Sequence, residues 1–382
     1  MKRFLLCGQR TRQRGVGIVE ILVGLLIGMI GVVVIFSMLS VSEERKRSTA
    51  AGSDAQTAGA IALYTLERDI QQAGFGFAGA PVFFGCEVAI HNSARTPQNF
   101  TLPLAPVRII QGAGGAPDSI VVWYGNSHIS PITKQFDTVA SGSGSESESE
   151  DESEPAAVSD PESKIIKEGV GGLLKGDLVL LAGTVSGASS CPNADEAVAL
   201  VQVSDVSDPT GLVMEHSGGQ FNREGGPNVP NPFTRGFVFN LGPQPVINQW
   251  SITERGTLQV QDLLRLSQPV EVGENIVNLQ AQYGIYTTPA GSPPVLVWQD
   301  AQPTAAQWPH VRAIRIAILT RSANWEREQV TTAAPAWYDD ATKTDVPFVM
   351  SNLPDGTDWR HYRYRVYQTV IPLPNIVLGT NT

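Results

Sequence analysis

The sequence predicts an α+β fold in which one long N-terminal helix precedes a domain of many short β strands. Residues 16–41 are apolar with a single charge, no proline occurs between Val16 and Ala80, and short β-rich runs separated by Gly, Pro, Asn and Asp dominate thereafter. A helix followed by many strands is typical of the α+β class, and no second long helix is evident that would build βαβ units. We therefore expect a helix packed on an antiparallel sheet.

The apolar run at 16–41 is long enough to cross a bilayer as a helix. Residues 1–15 carry five basic side chains and no acid, so the positive-inside rule leaves them in the cytoplasm and sends the C-terminal bulk to the periplasm. A secretory signal is cut after its apolar region. Here the plausible cut, between Gly15 and Val16, precedes it, so the helix would stay on the mature protein.

Three segments follow from this order. They are a cleaved leader at 1–15, an N-terminal helix at 16–73 whose part 16–41 is transmembrane, and a β-rich globular domain at 74–382.

Glu20 is the one charge in the apolar run, where an ionised carboxylate usually has a partner. Cleavage would create an α-amino group at Val16, and Glu20 could pair with that amine on a neighbouring subunit. The alternative is a tolerated interfacial acid on a signal anchor.

The second half of the helix is expected to be amphipathic. An apolar stripe repeats at spacings of four and three residues, the period of a helix face packed on an apolar surface. Its members are Gly59, Leu63, Leu66, Ile70 and Ala73. Gly74 can then adopt the left-handed conformation that ends a helix.

Six β-rich runs are the clearest strand candidates: Ser119–Tyr124, Asp177–Leu181, Ala197–Val203, Ile276–Tyr286, Val311–Leu319 and Tyr364–Ile371. In the fifth run Ile314, Ile316 and Ile318 alternate with Arg315 and Ala317, which predicts a strand with one buried face. The stretch 141–162 holds eight acids and no base, so we expect an acidic, disordered loop. Calcium binding there is the sharper alternative, but serine–acid repeats lack the fixed ligand positions it needs.

The composition and the motifs of the sequence limit the kinds of binding and catalysis that we expect. A net charge of −10 disfavours direct nucleic-acid binding, which depends on Lys and Arg. The five histidines show no metal-ligand spacing, and the glycine runs lack a nucleotide fingerprint. We expect no enzyme activity, no cofactor and no metal. Cys7 lies in the leader, so Cys86 and Cys191 remain as an even pair in an oxidising compartment, favouring a disulfide over a metal site or free thiols.

The N-terminal pattern resembles the type IV prepilin family through Gly15, the spacing to Glu20 and the uninterrupted apolar helix. Val16 and Gly17 depart from the family, in which Phe or Met and then a small hydroxylated residue are common. The resemblance implies a pilin-like fold, cleavage by a prepilin peptidase and N-methylation of Val16.

Within that family the chain is most similar to the PilW-type minor pilins. The segments that carry this likeness are ALYTLERDIQQAGF at 62–75 with Gly85 and Cys86 after it, KGDLVLL at 175–181, NIVNLQAQYGI at 275–285, VRAIRIAILTRS at 311–322 and YRVYQTVIPLPN at 364–375.

This resemblance implies a low-copy structural subunit of the type IV pilus (fimbrium) that joins other minor pilins and the major pilin to prime assembly on the inner-membrane platform. The fibre tip is a candidate position, and cell adhesion and twitching motility are the pilus functions it would serve. The implied location is the bacterial inner membrane, single-pass in the lipid bilayer, and then the pilus at the cell surface. A minor pseudopilin of a type II secretion system and a membrane-anchored surface adhesin remain alternatives.

Overall fold

The structure is a computed structural model. It describes residues 15, 17–79, 81–127, 133–140, 159–183, 198–227, 235–288, 293–339, 342–353 and 358–379. Two compact units divide the chain, Met1–Ser53 and Asp54–Thr382.

One long helix, α1 (Ile18–Gln71), passes through both units, and a short helix, α2 (Pro374–Gly379), lies near the C-terminus. The predicted helix at 16–73 extends two residues beyond the observed C-terminal end, and at the N-terminal end Gly17 precedes the helix while Val16 lies outside the described residues. Gly74 follows in a turn with φ of 81°, the left-handed conformation that glycine adopts without a Cβ clash.

Nineteen strands occur in the described ranges. In chain order they are β1 (Glu87–His91), β2 (Asn99–Pro103), β3 (Val107–Ile110), β4 (Ser119–Tyr124), β5 (Lys134–Ala140), β6 (Ser159–Ile166), β7 (Leu178–Gly183), β8 (Val198–Gln202), β9 (Val213–Glu215), β10 (Arg235–Gly242), β11 (Val246–Ile252), β12 (Thr257–Asp262), β13 (Val270–Glu274), β14 (Ile276–Thr287), β15 (Val295–Gln299), β16 (Val311–Arg321), β17 (Ala336–Asp339), β18 (Thr344–Pro347) and β19 (Tyr364–Pro372).

The strands form an eight-stranded sheet in the order β2-β1-β8-β7-β10-β5-β6-β9, a five-stranded sheet β13-β12-β11-β4-β3, a four-stranded sheet β15-β14-β16-β19 and the hairpin β17-β18. Every pairing is antiparallel except β1 with β8, which is parallel. The α+β class is confirmed. The single sheet of a pilin-like domain is not what forms, because eight of the ten strands between residues 87 and 242 build a separate eight-stranded sheet.

Helix α1 enters the main hydrophobic core of the second unit through its last turns. Ala62, Leu66, Ile70 and Ala73 are fully buried there. Leu63 is only half-buried, so the buried seam runs through Ala62 and not through Leu63 as the stripe predicts. Alanine brings the helix backbone close to the sheets, which a larger residue at the centre of the seam would prevent.

Strand β16 is buried on both faces, whereas its alternating sequence predicts one buried face. Ile314, Ile316 and Ile318 face the main core, while Ala317 and Leu319 belong to a second cluster with residues of the β17–β18 region. The hairpin covers the face on which Arg315 lies, and the Arg315 guanidinium stacks over the ring of Trp298 at 4.6 Å. Covering by a distant hairpin is a long-range event that local alternation does not encode.

Most of the predicted acidic loop lies outside the described residues. Its last four residues, 159–162, belong to β6, which pairs with β5 and β9.

Candidate assembly site

The candidate site on the first unit is the apolar segment Ile18–Ser40, the 23 N-terminal residues of α1, with a mean hydropathy of 2.9. At about 1.5 Å per residue it is about 35 Å long, enough to cross a hydrocarbon core of about 30 Å. None of it is buried within the structure. An apolar helix of this length that none of the described residues covers is suited to lipid or to other apolar helices.

Glu20 lies in the first turn of this segment and its side chain is exposed. Its backbone N–H donates to the Gly17 carbonyl oxygen at 3.0 Å, so the turn is formed at this point. A carboxylate there is favoured by the partial positive charge of a helix N-terminus. Gly15 is exposed, and Val16 lies outside the described residues. The predicted cleavage and the pairing of Glu20 with a neighbouring amine therefore stay predictions.

Asp69 anchors the other end of α1 to the five-stranded sheet, and sequence reasoning missed it. Its buried carboxylate accepts hydrogen bonds from the Tyr124 hydroxyl at 2.7 Å, the Trp250 Nε1 at 2.6 Å and the Asn248 Nδ2 at 3.2 Å. Burial, and secondly the Asp69 charge, raise the pKa of Tyr124, which keeps this hydroxyl a donor. The available signal was an acid three residues after Leu66 on the apolar stripe, a position that demands donors opposite it.

Two further contacts hold α1, one with the four-stranded sheet and one with α2. A Cβ on Gly59 would lie 2.5 Å from Tyr367 Cε2 and 2.8 Å from Thr320 Cγ2, so helix and sheet meet where only glycine fits. At the helix end, the Asn375 side-chain amide donates to the carbonyl oxygens of Gln72 at 3.1 Å and Ala73 at 3.2 Å. These bonds satisfy carbonyls that a helix terminus leaves open.

Cys86 is buried and disulfide-bonded. Its predicted partner, Cys191, lies outside the described residues, so the pairing itself stays a prediction. Within the part of the chain that the structure describes, no group of three or more His, Cys, Asp or Glu side chains could hold a metal ion.

Comparison of the chain with known protein families gives a match in the C-terminal part of the second unit. Residues 256–375 match the family model described as Type IV Pilus-assembly protein W. The match supports the PilW family, and that family implies a role in type IV pilus assembly. No curated protein and no solved structure matches the chain.

The PilW-like region, residues 256–375, contains the whole four-stranded sheet and ends at Asn375, which closes α1. Three of the segments on which the sequence resemblance rests form β14, β16 and β19 within it. The other three, at 62–75, 85–86 and 175–181, lie outside the matched residues. The family likeness is therefore concentrated in the sheet that receives the helix at Gly59.

Proposed function

We propose that this chain is a minor pilin of the type IV pilus, a structural subunit that helps to prime fibre assembly at the inner membrane. The observation that carries the proposal is the combination of the PilW-like region with an uncovered apolar segment that has an acid in its first turn. The proposed partners are other minor pilins, the major pilin and the inner-membrane assembly platform. Prepilin peptidase is the proposed processing enzyme.

The proposed mechanism is packing and not catalysis. After cleavage at Gly15, the amine of Val16 is a cation at the depth of Glu20 in the bilayer. A carboxylate in the bilayer is stabilised by pairing with such a cation, and pairing with the amine of an adjacent subunit sets the register between two helices. Small residues at Gly24, Gly28 and Gly31 permit close approach of those helices.

The test compares strains carrying wild type, Glu20→Ala, Glu43→Ala and a deletion of the gene. Glu43 is an exposed acid of the same helix beyond the apolar segment, 3.9 Å from Lys46, and is the matched control. We expect Glu20→Ala to be inserted and folded but to give fewer surface pili and less co-purified minor pilin, while Glu43→Ala behaves as wild type. Normal piliation in the deletion strain would overturn the proposal, and loss of enzyme secretion there would identify a pseudopilin instead.

A further inference from the structure

The strand β15 forms one edge of the four-stranded sheet, and within the described residues it pairs with β14 alone. Val295, Leu296 and Val297 are 44%, 37% and 47% exposed, so apolar side chains reach solvent on both faces of the strand. Beside Leu296, Tyr286 of β14 is 43% exposed. The stretch 287–299 contains no charged residue. The exposed edge of this sheet is therefore apolar, although the protein as a whole is acidic.

The backbone of this edge is open. In the described part of the chain, no hydrogen bond outside the β14 ladder reaches the N–H or carbonyl groups of residues 295–298. An antiparallel strand with one neighbour directs alternate N–H and carbonyl groups outward. These groups are a template for a further strand.

Proteins normally blunt such edges with a charge or a proline. Seven of the eight edge strands in the described ranges carry one or both, and β15 carries neither. The protecting residues are Pro103 in β2, Glu215 in β9, Glu271 and Glu274 in β13, Arg108 in β3, Arg365 and Pro372 in β19, Asp339 in β17, and Asp345 and Pro347 in β18.

We propose that β15 accepts an added strand from another subunit of the pilus assembly, an extended uncharged segment with aliphatic or aromatic side chains at alternate positions. Uncharged β-branched and aromatic partners suit Val295 and Val297 as cross-strand neighbours. The identification of the partner as a pilus subunit rests on the proposed function, whereas the observation that the edge of β15 is open does not.

The size of the edge favours another subunit of one assembly over a second copy in free solution. Five residues at about 3.4 Å each give a strand of about 17 Å. Pairing along it buries far less than the roughly 1,600 Å² of a standard stable interface. Strand addition here needs a partner held nearby, and anchoring in one membrane raises its effective concentration.

The experiment places the photocrosslinker benzoylphenylalanine at position 296 of the full chain in piliated cells and maps the adduct by mass spectrometry. We expect an adduct with an uncharged stretch of a different subunit, which is lost on adding Val297→Lys. Val270→Lys, on the β13 edge at 62% exposure, is the matched control and should keep the adduct. Both sites are exposed, so tryptophan fluorescence should report an intact fold in each variant.

No adduct, an adduct with β15 of a second copy, an adduct with lipid, or one that survives Val297→Lys would each overturn the inference. The deletion strain separates this result from the proposed function. Lost pili without an adduct overturn only the open-edge inference, whereas an adduct together with normal piliation in the deletion strain overturns only the assembly function.

Discussion

The carboxylate of Asp69 on α1 accepts a hydrogen bond from the indole Nε1 of Trp250 on β11 at 2.6 Å. Tyr124 and Asn248 donate to the same carboxylate. Three donors from two adjacent strands of one sheet thus converge on one helical residue. This fixes the last turn of α1 on the five-stranded sheet.

Asp69→Asn should destabilise the second unit. The amide can accept through one oxygen only and turns its NH₂ toward a donor, and a buried polar group left unsatisfied costs about 1–3 kcal/mol. Denaturant unfolding of the full chain in detergent, followed by tryptophan fluorescence, measures this because all seven tryptophans lie in that unit. Glu67→Gln, close by on the same helix and without the buried network, should change stability by less than about 0.5 kcal/mol. Equal stability of the two variants would refute the anchor.

Gly59→Ala should also destabilise, although alanine is the better helix former. The new Cβ meets Tyr367 and Thr320, and overpacking of this kind costs about 1–3 kcal/mol. Gly52→Ala is the matched control in the same helix, because nothing lies within 4 Å of the point that its new Cβ would occupy. Because alanine has a higher helix propensity than glycine, the unfolding midpoint of Gly52→Ala should equal or exceed that of the wild type. A Gly59→Ala variant as stable as wild type would show that helix and sheet are less closely packed.

Asp118 should make the second unit less stable as pH rises. Burial raises the pKa of Asp118 from 3.8 to about 6, with the Asp300 charge adding to the effect and hydrogen bonds from the Gly112 and Ala281 N–H groups opposing it. A carboxyl with a raised folded-state pKa binds its proton more tightly when folded. Its stabilisation is therefore full below about pH 4 and is lost as pH rises through about 6.

At about 1.4 kcal/mol per pKa unit, the Asp118 contribution is about 3 kcal/mol. Asp118→Asn removes the titrating group. The free energy of unfolding of this variant should therefore not fall in this way between pH 4 and 6.5, whatever its value at pH 4. The exposed Asp345 provides the control, and Asp345→Asn should keep the wild-type slope. Parallel pH profiles for wild type and Asp118→Asn would disprove the assignment.

Cys86 and Cys191 should be joined. Peptide mapping under non-reducing conditions should recover them in one linked pair, and Cys191→Ser should lower the free energy of unfolding by about 4–5 kcal/mol on the chain-entropy model for so long a loop. A linkage of Cys86 to Cys7 would contradict the proposed topology, because the leader and the domain would then share a compartment.

Local sequence signals located the elements but not their assembly. Each of the six predicted β-rich runs overlaps a strand, and Ser119–Tyr124 coincides with β4. Hydrophobic periodicity marks such segments because it reflects burial of residues close in sequence. The division into three larger sheets and the parallel β1–β8 pair depend on contacts between distant residues, which no short window contains.

The candidate site, too, was predictable from the sequence only in part. The apolar segment and Glu20 were visible because length and hydropathy are local properties. Asp69 was not, since its donors Tyr124, Asn248 and Trp250 lie far along the chain. The open edge at β15 was also hidden, because an edge exists only once the strand order of the sheet is known.

The mature N-terminus, read by mass spectrometry of the membrane-inserted protein, tests the account most directly. We predict a chain that starts at Val16 with a methylated amine, because the small Gly15 meets the apolar segment directly after the basic leader. Gly15→Asp should leave the precursor uncut, and Gly8→Asp, which places the same charge inside the leader, should still be cleaved. An intact Met1 terminus in the wild type, or a cut beyond residue 41, would contradict the assignment as a processed pilus subunit.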